Sequence, residues 1–138
     1  MHIRLMILMT LLALVQGCAT PGTHTQAVHA GVPSNDGTYL VEWNTDPTPI
    51  PVNDFFVIDA RVYDAATGDP ATDVELQIDA AMPQHRHGMN HSPDNEHVGP
   101  GHWRARDMLF HMPGDWVIYF DISHDDVMRR AQVSVEVD

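Results

Sequence analysis

The chain has 138 residues, with 19 acidic against 7 basic side chains and a formal net charge of −12 when histidine is neutral. That length fits one domain plus an N-terminal address, and the negative field disfavours nucleic acid and anionic membrane surfaces while drawing cations. Histidine occurs ten times, methionine eight times and cysteine once, so no intramolecular disulfide can form.

The first residues read as an export signal. Arg4 gives a short positive region, and Leu5 to Val15 is an apolar run interrupted only by Thr10. So short a run at the extreme N-terminus predicts a signal peptide and not a membrane span. The ending Leu14-Val15-Gln16-Gly17-Cys18 resembles a bacterial lipobox. The resemblance implies cleavage before Cys18, with residues 1–17 removed and a lipid placed on the Cys18 sulfur and new amino terminus. Ala19 follows where an aspartate would signal inner-membrane retention, so the expected address is the outer membrane, facing the periplasm. An acylated Cys18 leaves no thiolate to act as nucleophile or metal ligand.

Residues 18–37 carry Thr, Gly, Pro, Ala, Asn and Ser with His24 and His29 and no hydrophobic period, which predicts a flexible tether. The domain is expected over residues 38–138. Tyr39, Val41 and Trp43 form one apolar face of a first strand. Pro47, Pro49 and Pro51 exclude a helix over 44–53 and suggest a crossing at a sheet edge. Phe56, Ile58, Ala60 and Val62 then alternate, as do Val74, Leu76, Ile78 and Ala80, with Met82 in phase as a core plug. A strand from Gly101 to near Phe110 has broken alternation at Arg104, Arg106 and Asp107, which predicts a bulge. Trp116, Ile118, Phe120 and Ile122 form the next apolar face, and Val133, Val135 and Val137 the last. Six or seven short strands without a helix predict an all-β sandwich or barrel.

Between two of these strands lies Met82-Pro83-Gln84-His85-Arg86-His87-Gly88-Met89-Asn90-His91. Pro83 and Gly88 argue against a helix, so the segment reads as a loop running on to Gly101. Imidazole suits copper, zinc and nickel, and thioether sulfur is soft and favours Cu(I). His85, His87, Met89 and His91 share one odd-numbered phase, so an extended backbone would set four donors on one side. His111 and Met112 come from a separate turn and are candidates to complete the set, with His97 and His102 flanking the loop. Zinc, assisted by Asp94 or Glu96, is the competing metal, and methionine content is the reason to prefer copper. A lone loop histidine is ordinarily just solvated, and it is the density of donors here that points to metal.

Met82-Pro83, His85-x-His87-Gly88-Met89, Gly101-x-Trp103 and Phe110-x-Met112-x-Gly114-x-Trp116 together resemble the YtkA-like/FixH-like group of small exported domains, over roughly residues 38 to 137. Two positions depart from that pattern. Arg86 stands between the histidines where the group often has glycine, and Trp103 stands where it often has tyrosine. The resemblance implies an immunoglobulin-like β-sandwich of about seven strands. It also implies a setting beside copper handling or the assembly of membrane-bound copper or haem enzymes.

Two function classes follow. One is a lipid-anchored copper protein that buffers the ion or delivers it to a membrane-bound metalloenzyme or copper transporter. The other is a periplasmic interaction or assembly module for a membrane complex, with no metal. An enzyme is not expected: there is no cysteine nucleophile in the domain, no Gly-x-Ser-x-Gly elbow and no His-Glu-x-x-His motif.

Overall fold

The computed structural model describes residues 31–138. The leader, Cys18, His24 and His29 lie outside the described residues. Within them the regular secondary structure is nearly all strand. In order come β1 (Val32–Pro33), β2 (Tyr39–Asp46), β3 (Phe55–Asp64), β4 (Glu75–Met82), β5 (His87–Gly88), β6 (Asp94–Gly99), β7 (His102–Leu109), β8 (Gly114–His124) and β9 (Val127–Val137). The only helical piece among them is one 3-10 turn, Pro83–His85.

Two antiparallel sheets face each other. One has the order β1-β2-β3-β7-β6 and the other β5-β4-β8-β9. With the seven long strands lettered A to G in chain order, the first sheet is A-B-E-D and the second C-F-G, the arrangement of an immunoglobulin-like sandwich. The two-residue strands β1 and β5 are additions at the rims.

Alternation explains the layers. Val41 and Trp43 on β2, Phe56, Ile58, Ala60 and Val62 on β3, Leu76, Ile78, Ala80 and Met82 on β4, and Trp116, Ile118, Phe120 and Ile122 on β8 are all buried. Their intervening neighbours face solvent, as period two requires. The expected bulge lies on β7. Phe56 pairs with Met108 but Ile58 pairs with Ala105, so β7 spends three residues where β3 spends two. Asp107 takes a positive φ of 60° there. The extra residue changes the phase, so Trp103 and Ala105 before it and Met108 and Phe110 after it all reach the core.

Three expectations need correction. The fold begins before residue 38: Val32 and Pro33 pair with Val41 and Leu40, and buried Ser34 accepts the Tyr39 N–H on its Oγ. The proline-rich 47–54 segment is no crossing, because β2 and β3 are antiparallel neighbours joined by it within one sheet. Residues 92–101 are not all loop either. Asp94–Gly99 is strand β6, an edge strand wet on most positions, which is why it shows no hydrophobic period.

The topology fixes where the candidate donors sit. The 47–54 segment, the β4–β6 connection and the β7–β8 turn all emerge at one end of the sandwich. Every His and Met of the candidate donor set lies on the last two of these connections.

Candidate functional site

Met82 ends β4 as a buried core residue with 1% exposure, so it plugs the sandwich beneath the donors and is not one of them. Pro83 then starts the 3-10 turn, and Arg86 closes it at φ 58°, its N–H bonded to the Pro83 carbonyl. This left-handed residue breaks the extended run on which a shared side for His85, His87, Met89 and His91 was expected. His87 and Gly88 instead return alongside β4, with His87 opposite Met82 and Gly88 opposite Ala81.

The fold brings His111 to this return. The rings of His87 and His111 have centroids 5.2 Å apart, and His85 follows 5.8 Å from His87. Two imidazoles sharing one ion through nitrogens about 2 Å away have centroids roughly 4.5 to 6 Å apart, so both spacings suit a shared metal. His87 is the ring both others meet, and no ring contact joins His85 to His111 among the described residues. Among the described residues no three His, Cys, Asp or Glu side chains are gathered to hold a metal ion. A metal held here would need two imidazoles completed by other donors.

Two methionines lie on the same two connections. Met89 follows β5, its N–H bonded to the Ala80 carbonyl at 3.2 Å, and Met112 follows His111 in the turn. Both are partly buried against the core. Each touches apolar surroundings and solvent at once, as an adaptable thioether donor would. His91 goes elsewhere: it is exposed, and its ring meets Phe55 edge-on at 5.3 Å. No ring contact joins it to His85, His87 or His111 among the described residues.

Protonation geometry separates the two central imidazoles. His87 Nδ1 donates to the Gly88 carbonyl at 3.0 Å, which leaves Nε2 with its lone pair available. A metal-bound histidine usually shows this arrangement, one nitrogen tied to a carbonyl and the other free to ligate. On His111, Nδ1 is buried and has no hydrogen-bond partner. Such an orphan ordinarily costs about 1–3 kcal/mol, and few native groups bear it. A ligand at that nitrogen would remove the cost. Asn44 Oδ1 is likewise buried and unpartnered, on the outer face of the other sheet.

The remaining histidines have partners away from this end. His97 lies against Trp103, its cross-strand neighbour, with centroids 4.9 Å apart. His102 bonds Asp59 at 2.9 Å, beside Arg104 on the same carboxylate. His124 lies between Tyr39 and Asp73 at the opposite end. Asp94 and Glu96 pair with Arg106, so neither is placed to assist zinc.

In the sequence Trp116 reads as part of an apolar strand face and as the last residue of the Phe110-x-Met112-x-Gly114-x-Trp116 pattern. Its indole has no exposed surface and stacks flat on Phe110, and both His87 and His111 meet it edge-on. The chain matches no protein-family model, no curated protein and no solved structure.

Proposed function

We propose that this protein binds copper at the loop-bearing end of its sandwich and buffers or delivers the ion in the cell envelope. His87 and His111 are the imidazole donors and Met89 and Met112 the thioether donors. His85 is placed as an auxiliary donor at the solvent rim. The observation that carries the reading is the buried, partnerless Nδ1 of His111 beside His87, whose own Nδ1 is occupied and whose Nε2 is free. Copper accepts imidazole, and the soft sulfurs select Cu(I) over hard cations and over zinc sites built from nitrogen and carboxylate. The acidic chain raises the local concentration of cations. A lipid on Cys18 would hold the domain at the membrane, within reach of a membrane-bound copper enzyme or transporter. The resemblance to the YtkA-like/FixH-like group fits this role.

The test is competitive titration of wild type and a His87→Ala/His111→Ala variant with Cu(I), Cu(II) and Zn(II). Both rings stand at the rim of the sheets, so the β-sheet circular dichroism should persist while copper affinity falls at least a hundredfold. Coordination needs neutral imidazole, so Cu(II) binding should weaken as pH falls from about 7 to 5, with Cu(I) held partly by sulfur weakening less. Equal copper affinity in the two proteins would overturn the reading and leave the metal-free interaction module in its place.

A further inference from the structure

One side chain touches every donor-bearing piece of this end. Trp116, the third residue of β8, lies flat on Phe110 with centroids 4.4 Å apart and planes 2° from parallel. Its ring meets His111 edge-on at 5.4 Å and 84°, and His87 at 6.1 Å and 72°. Its Nε1 donates to the Met112 carbonyl at 3.0 Å, which closes the turn that carries Met112. The indole is fully buried and backed across the strand by Val135.

Each relation restrains a different donor. The two edge contacts limit the tilt of both imidazoles. The indole N–H bond fixes the backbone from which Met112 projects. The Phe110 stack ties these restraints to the core, where side chains do not move freely. We propose that Trp116 is the positioning residue of the metal end and that it makes the site prefer Cu(I) over Cu(II); this rests on the copper reading above.

The preference follows from coordination chemistry. Cu(II) favours a tetragonal set of nitrogen and oxygen donors, whereas Cu(I) accepts soft thioethers. The buried indole and phenyl ring give the inner side an apolar lining. What remains is two restrained imidazoles, His85 at the solvent rim and the partly buried sulfurs of Met89 and Met112. An apolar wall also limits solvent access, which raises the cost of the more highly charged ion.

The test uses the full chain on a Cys18→Ala background, so that no thiol competes for copper. Trp116→Phe keeps an aromatic ring on Phe110 but loses the donor to Met112 and the larger indole edge. Phe110→Leu loses the stack and keeps the rest. Cu(I) and Cu(II) affinities, the potential of bound copper and the unfolding temperature of the metal-free protein are measured for each. Trp116→Phe should lower the ratio of Cu(I) to Cu(II) affinity about tenfold, a fall of about 59 mV for one electron. Phe110→Leu should lower the unfolding temperature and lower the ratio less than Trp116→Phe does, because the edge contacts and the Met112 bond remain. An unchanged ratio in Trp116→Phe, or an equal change in both variants, would overturn the proposal while leaving copper binding intact. Wild type that binds neither copper state would overturn the underlying reading instead. A second reading needs no substitution. On Cu(I) loading the Trp116 indole N–H resonance should shift while those of Trp43 and Trp103 stay in place. Three unmoved indole resonances would also overturn the proposal.

Discussion

Burial separates two sulfurs seven positions apart, Met82 in the core and Met89 at a half-wet site where the proposed copper would meet it. Met82 is 1% exposed and its methyl comes within 2.9 Å of where a Cβ on Gly114 would stand. Gly114 also has φ 125°, so no other residue fits there without strain. Met82→Ala should therefore cost about 2–5 kcal/mol by chemical denaturation, the range for emptying a well-packed core position. Met89→Ala, at a half-wet site, should cost less than half of that and should weaken Cu(I). A Met82 variant that kept its stability and lost copper would show the two roles reversed. Phase in the sequence already separated them, because Met82 continues the Leu76, Ile78, Ala80 series and Met89 does not. The closeness of His87 to His111 was not legible in that way. It depends on a left-handed Arg86 turning the chain back along β4, and on how β7 and β8 meet, neither of which any local pattern encodes.

Strands were legible where one face is dry and obscure where both are wet. β3 and β8, central in their sheets, and β4, beside β8, alternate cleanly because one face of each packs into the core. β6 carries Asp94-Asn95-Glu96-His97-Val98-Gly99 and packs little, so its contribution lies in polar contacts. The Asn95 amide receives the Ile78 N–H at 2.8 Å and donates to the Ile78 carbonyl at 3.2 Å, standing in for a neighbouring strand along the open edge of β4. A second polar link joins β3 to β7. Asp59 accepts His102 and Arg104 on its Oδ1 at 2.9 Å each. Burial alone would raise the Asp59 pKa, but hydrogen bonds from Arg104 and His102 and their charges overcome it and hold the carboxyl below its ordinary value. A carboxylate with a depressed folded pKa adds stability that is present above its unfolded value of about 3.9 and is lost as pH falls through the folded value. Asp59→Asn should accordingly destabilise the protein at pH 7, with the gap from wild type closing below about pH 4. Urea midpoints at the two pH values check this, and a gap that widened in acid would show that the carboxylate is not the stabilising form.

At the scale of the molecule, the sandwich separates a packed body from one chemically dense end. Residues 31–138 place the last residues of β2, β4 and β7 at the same end as the first residues of β3 and β8, and the candidate donors are concentrated on the connections between them. The opposite end holds Asp36, Arg129, Tyr39 and His124 in a polar network that fastens the start of the domain to the β8–β9 hairpin. The all-β architecture was legible because alternation repeats strand after strand. The donor set was legible only in its composition, since its geometry is made by two connections far apart in sequence. X-ray absorption at the copper edge of the Cu(I)-loaded Cys18→Ala protein tests the central claim most directly. The account predicts a first shell of imidazole nitrogen and sulfur, with the sulfur signal removed by Met89→Leu/Met112→Leu and the imidazole signal by His87→Ala/His111→Ala. A shell of nitrogen and oxygen alone, unchanged by the methionine pair, would contradict it.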